Sequence, residues 1–160
     1  MQQLNFPAFD FRFKSSENKT AVFDRIRKKF VILTPEEWVR QHVVSYLIDH
    51  KNYPLSLINV EKALSVNGLL KRYDVVVYAS DGSISLLVEC KAPEVKITQQ
   101  VFDQIARYNL SLDAKLLMVT NGLQHYYCTL DYVAESYNFL RDLPCYATAI
   151  GNVEPIVGRP

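Results

Sequence analysis

Two apolar segments close together in the chain, Tyr73-Asp74-Val75-Val76-Val77-Tyr78 and Ile84-Ser85-Leu86-Leu87-Val88-Glu89-Cys90, constrain the fold most. β-Branched, aromatic and aliphatic residues dominate both, and Ser80-Asp81-Gly82-Ser83 supplies turn residues between them, so the stretch predicts a β-hairpin. Lys91-Ala92-Pro93 closes the second strand. Upstream, Thr34-Pro35-Glu36-Glu37 predicts a helix start: Thr34 caps, Pro35 suits the first helical position, and Glu37 has capping-box spacing. The apolar residues from Trp38 to Ile48 give that helix one buried face, and it runs to about His50. Leu57–Glu61 predicts another strand, followed by a turn at Asn67-Gly68.

Ile97 to Leu112 predicts a second helix, with Val101, Ile105, Tyr108 and Leu112 on one face. Lys115–Thr120 and Leu123–Thr129 predict two strands about an Asn121-Gly122 turn, and the chain from Asp131 has room for one more helix. Phe6, Phe9, Phe11 and Phe13 give some alternation of period two, so part of this lead-in is expected to pair at a sheet edge. The order is helix, three strands, helix, two strands. The expected fold class is α/β, a mixed central β-sheet flanked by helices. At 160 residues with 49% apolar content, one domain with a real core is expected. Its expected limits are 23–150, with an N-terminal extension at 1–22 and a C-terminal tail at 151–160.

Bulk properties exclude several classes. Cys90, Cys128 and Cys145 are odd in number and far apart, against a disulfide framework or zinc site. His42, His50 and His125 are equally dispersed. A formal charge of +1 excludes a uniformly basic nucleic-acid coat but allows local patches. One such run is Arg25-Ile26-Arg27-Lys28-Lys29, a solvated turn or a phosphate contact. Lys71-Arg72 raises the same two alternatives. No apolar run reaches the roughly 18 residues of a membrane span. The N-terminus lacks the pattern of a secretory signal, so a cytoplasmic protein without membrane partners is expected.

The chemistry concentrates on the hairpin. Residues two apart on a strand share a face, so Glu89 and Lys91 point one way, and the hairpin brings Asp74 near. Charges on a sheet face need compensation. A structural salt-bridge cluster supplies it in one reading. In the other, Asp74, Glu89 and the Cys90 backbone carbonyl offer three oxygens to a hard cation such as Mg²⁺, with Lys91 beside the reacting water. Gln104 and Tyr108, four apart on the second helix, share a face that can orient water or grip a phosphate backbone.

These pieces together resemble a family. Asp74, Glu89-x-Lys91 and then Gln104-x-x-x-Tyr108 look like the nuclease domain at the N-terminus of type I restriction endonuclease R subunits, in the PD-(D/E)xK superfamily. Phe23-Asp24-Arg25-Ile26-Arg27-Lys28-Lys29, Leu33-Thr34-Pro35-Glu36-Glu37-Trp38-Val39-Arg40-Gln41, Lys71-Arg72-Tyr73-Asp74, Glu89-Cys90-Lys91-Ala92-Pro93, Phe102-Asp103-Gln104 and Thr120-Asn121-Gly122 strengthen the match over about 24–128. The resemblance implies a restriction-endonuclease-like fold and Mg²⁺-dependent DNA cleavage, with Mn²⁺ able to substitute. It makes Asp74, Glu89, Lys91, Gln104 and Tyr108 catalytic. Asp74, Glu89 and the Cys90 carbonyl would hold metal, joined by an acid of the first helix, Glu37 before Glu36. Glu61 is a neighbour of the site and reads more readily as an ion pair. Arg25, Arg27, Lys28, Lys71 and Arg72 are the DNA-contact candidates. Tyr73 departs from the motif, standing where its name has proline. A G-x-x-x-x-G-K-[ST] loop is absent from the chain, so translocation would fall to a separate motor or methyltransferase subunit. A homodimer would supply a second active site for a double-strand cut. The same residues also allow a non-catalytic module that binds DNA or a partner.

Overall fold

The structure is a computed structural model and describes residues 1–150. It opens with β1 (Phe13–Ser16), β2 (Lys19–Asp24) and β3 (Lys29–Ile32), a small antiparallel sheet of its own. Next come α1 (Pro35–Asp49), β4 (Ile58–Val66), β5 (Leu69–Tyr78), β6 (Ile84–Cys90) and α2 (Gln99–Asn109). β7 (Leu116–Thr120), β8 (His125–Asp131), β9 (Ser136–Leu140) and a single turn, α3 (Tyr146–Ala149), complete it. The main sheet has six strands in sequence order, and only β6 and β7 run parallel. That one parallel pair needs a crossover, and α2 provides it. The expected α/β class with a mixed central sheet is what the structure shows.

The two faces of the sheet carry separate cores. Val75, Val77, Leu86, Val88, Leu116 and Met118 pack with α1, whereas Val76, Leu87, Leu117 and Val119 pack with Phe102 and Ala106 of α2. The alternation is the period of two that a strand imposes. α1 begins as expected, with the Thr34 hydroxyl accepting from the Glu37 N–H at 3.1 Å. It is not one-faced, however. Ten of its fifteen residues, polar ones included, are buried. The N-terminal segment covers its outer side: Phe6, Phe9 and Phe11 meet Trp38, His42, Tyr46 and His50 in edge-on and tilted contacts. Gly122 (φ 85°) allows the strap to close, since a Cβ there would lie 2.9 Å from Leu4 and 3.1 Å from Val39.

Several expectations need correction. Of the phenylalanines in the lead-in, Phe13 joins β1 at a sheet edge as expected, whereas Phe6, Phe9 and Phe11 lie on α1. The basic run is the turn of the β2–β3 hairpin, and the expected domain start at residue 23 falls inside β2. β4 continues five residues beyond Glu61. α2 ends at Asn109 and passes into a 3₁₀ turn over Leu110–Leu112. The Asn121-Gly122 turn is wider than two residues, because the Asn121 Oδ1 accepts from the Leu123 and Gln124 N–H groups before β8 starts. After Asp131 a further strand, β9, pairs with β8 before the one more helix expected there, which is the single turn α3. The tail at 151–160 lies outside the described residues. Among those described, no helix is long and apolar enough to cross a membrane.

Candidate metal centre in a split of the sheet

β5 and β6 pair from Tyr78 and Ile84 to Val75 and Val88, and there the ladder stops. Beyond it, β6 stays with β7 to Cys90 and Thr120, while the rest of β5 follows β4. The sheet therefore splits between Asp74 and Glu89. The β4–β5 ladder also skips from Val60↔Val75 to Lys62↔Tyr73, with Glu61 at φ 51°. The register is the same on both sides, so the ladder is interrupted at Glu61 and Asp74 without an inserted residue. Asp74 occupies the split. Its Oδ2 accepts from the Cys90 N–H at 2.8 Å, replacing the missing ladder bond. A cleft of about 270 Å³ opens there, lined by Glu36, Arg40, Glu61, Arg72, Tyr73, Asp74, Glu89, Cys90 and Lys91.

A chain of buried charges approaches the cleft from the small sheet. Asp24, at the end of β2, accepts from the Arg27 guanidinium at 2.7 Å and from Gln41 at 2.8 Å. Burial pushes its carboxyl up, but hydrogen bonds from the Arg27 backbone and guanidinium and from Gln41 outweigh this, and the net shift is downward. Arg27 also reaches Glu37 at 2.6 Å and Glu61 at 3.2 Å. Glu37 passes the charge to Arg40 at 2.6 Å, and Arg40 donates to the Asp74 Oδ1 at 2.8 Å. Burial disfavours the Arg40 charge, but Asp74 and Glu37 more than offset it.

The other side of the cleft is built differently. Lys71 donates to the Glu89 Oε1 at 2.6 Å, and its ammonium lies 4.8 Å from the Tyr73 ring centre and 4.5 Å from that of Tyr108. The Tyr73 hydroxyl donates to the buried Asn109 Oδ1 at 2.6 Å, which pins α2 to β5. Glu36 stands nearby with its carboxyl pushed up by burial and by the Asp74 charge, against the pull of Arg40 and Lys91. Two carboxylates crowded this way call for a shared proton or a cation.

Of the residues singled out from the sequence, Asp74, Glu89, Cys90, Lys91 and Arg72 meet in one cleft. Tyr108 reaches it through Lys71. Gln104 does not: it is exposed on α2 and absent from the lining. Glu37 is held by Arg27, Arg40 and Gln41 instead, and Glu36 is the acid of α1 that lines the cleft. Arg27 is spent on three carboxylates and Arg25 pairs with Asp49, while Lys28 stays exposed. Lys71 faces Glu89 rather than solvent. Arg40 was not singled out. Its one signal is its position four residues after Glu36 and three after Glu37, on the acidic side of the helix start. Among the described residues, no three or more His, Cys, Asp or Glu side chains form a ready metal cage. The donors are nonetheless hard oxygens on crowded carboxylates beside open space, and Mg²⁺ is commonly held by one or two carboxylates plus waters rather than a protein cage. The residues fit such an ion in kind.

Comparison with known proteins bears on the same residues. No curated protein matches the chain. Residues 35–144, which contain α1, the split strands, α2 and all the cleft-lining side chains, match the family described as "Type I restriction enzyme R protein N terminus (HSDR_N)". That stretch is well over half of the chain, and the protein belongs to the type I restriction enzyme R protein N-terminus family.

Proposed function

We propose that this chain is a nuclease domain that hydrolyses DNA phosphodiester bonds in the cleft between β5 and β6. The observation that carries the reading is the meeting of Asp74, Glu89 and Lys91 where the sheet splits, with Glu36 crowding Asp74. Asp74, Glu89 and the Cys90 carbonyl would hold Mg²⁺ or Mn²⁺, with Glu36 rather than Glu37 as the helix-borne acid. A bound ion would supply Lewis acidity toward the phosphate. Lys91 donates hydrogen bonds to the attacked phosphate, where its ammonium stabilises developing charge. Arg72 grips a flanking phosphate and Lys71 moves off Glu89. Tyr108 steadies Lys71. Partner subunits of a restriction system and a cytoplasmic setting accord with the family and belong to this proposal, as does a homodimer, which would supply the second active site for a double-strand cut.

Plasmid nicking with Mg²⁺ or Mn²⁺ tests it. Wild-type protein nicks, while Lys91→Ala and Asp74→Ala lose at least about a hundredfold of the rate. Equal cleavage by all three sinks the proposal. A second reading is a binding module with an idle site, favoured by the fact that Asp74 and Glu89 are each already ion-paired. Titration calorimetry separates the two. Undetectable Mn²⁺ binding with DNA affinity intact selects the idle site.

A further inference from the structure

Charge is unevenly spread along this chain. Residues 11–32 hold seven Lys and Arg against two Asp and Glu, a net of +5, whereas the whole chain carries +1. This stretch is the small sheet together with Phe11 and Arg12, which lead into it. Its register places Lys14, Ala21 and Ile32 in one row and pairs Phe23 with Phe30 in the next. Val22 and Asp24 point the opposite way and are buried. The outer face therefore presents Lys14, Lys19, Phe23, Phe30 and Ile32. Phe30 is 36% exposed and Ile32 55%. The Arg12 guanidinium lies 4.5 Å from the Phe23 ring centre and 5.8 Å from that of Phe30, and the Lys14 ammonium lies 6.0 Å from Phe30.

Arg25, Arg27 and Asp24 are consumed in ion pairs. Arg12, Lys14, Lys19, Lys28 and Lys29 are exposed, and among the described residues none has a carboxylate at salt-bridge distance. Aromatic rings on an antiparallel sheet, flanked by unneutralised cations, suit a flexible polyanion with planar groups. Bases stack on ring faces, and phosphates meet the cations. An apolar protein partner would have to bury five unpaired charges, at high cost. We propose that the outer face of the β1–β2–β3 sheet binds single-stranded nucleic acid, with a base on Phe30 and phosphates on Arg12, Lys14 and Lys19. This site is distinct from the cleft: the sheet precedes the family match at 35–144, and it contributes no lining residue. The two are joined physically, because β3 runs into α1 and Arg27 in the β2–β3 turn holds Glu37 and Glu61.

Fluorescence anisotropy of the full chain tests this in EDTA, where metal-dependent cleavage plays no part. The probes are a labelled 20-nucleotide single strand, its duplex and labelled heparin. Tighter binding of the single strand is expected. Phe30→Ala weakens it by roughly fivefold or more. The exposed pair Lys14→Ala/Lys19→Ala flattens the salt dependence by about 1.4 logarithmic units per tenfold salt. That pair keeps the test decisive should Phe30→Ala fail to fold, which circular dichroism reports. Unchanged affinity and slope in both variants, with loss in Arg72→Ala, would put the strand in the cleft and overturn the assignment. Equal binding of heparin, insensitive to Phe30→Ala, would reduce the face to a polyanion patch and overturn it as well.

Discussion

Asp74 and Glu89 line the same cleft, yet each is held by a different kind of cation. Asp74 meets Arg40, whose side chain is 7% exposed and whose other arm is fixed by Glu37. Glu89 meets Lys71, 28% exposed and resting between two tyrosine rings. An arginine fork in a buried network is pre-organised and hard to displace, whereas a lysine is a mobile point charge. The contrast separates a carboxylate whose cation is fixed in place from one that can exchange its partner. Both carboxylates are offset by cations of the chain itself.

The contrast breaks most sharply at Arg40. Arg40→Ala leaves Glu37 and Asp74 buried without their shared cation, and a loss of about 3–5 kcal/mol in urea unfolding is expected. Arg40→Lys recovers only part, because one ammonium cannot span both carboxylates. Asp24→Asn comes next, at roughly 2–3 kcal/mol at pH 7, because it weakens charged hydrogen bonds to Arg27 and Gln41. Its pH dependence has a definite sign. The folded carboxyl sits below its ordinary value. The stability it contributes is thus present above the unfolded value near about 4, and is lost as pH falls through the folded one. Unfolding curves of wild type and Asp24→Asn should converge toward acid pH; a constant gap refutes the role.

Local signals explain which parts of this architecture the sequence discloses. Thr34, Pro35 and the alternation of Val75–Val77 and Leu86–Val88 act within a turn or a strand, and those elements stand where expected. So do Asp74, Glu89 and Lys91, because a tight hairpin fixes their neighbourhood. The small sheet escaped notice because its turns use Glu17, Asn18 and Lys28 at positive φ rather than glycine. Arg40 and Lys71 escaped as partners because ion pairs 34 and 18 residues apart leave no periodic trace. The choice between Glu36 and Glu37 depended on which face of α1 meets the split, and that is set by tertiary packing, not spacing.

Lys71 sharpens the exchangeable half. Lys71→Ala should cost less than about 1 kcal/mol of stability, as expected for a partly exposed pair. If Lys71 competes with a divalent ion for Glu89, its removal tightens Mn²⁺ binding about two- to fivefold by calorimetry. Weaker Mn²⁺ binding would instead make Lys71 part of the metal-binding arrangement and dissolve the contrast with Arg40.

The smallest effect is expected at Glu36, and its sign is the informative part. Burial and the Asp74 charge push its carboxyl up. A raised folded value favours folding most below the unfolded value, and that advantage is lost as pH rises through the folded one. Ionised Glu36 therefore strains the metal-free protein at pH 7. Glu36→Gln should gain up to about 0.5 kcal/mol at pH 7, a figure kept low because the side chain is about half exposed and screened. At pH 4 the gain should vanish. The same change should weaken Mn²⁺ binding, since it removes a carboxylate from the cleft. A stability gain paired with a loss of metal affinity marks crowding that exists for a cation; loss of both would place Glu36 in the framework with Glu37.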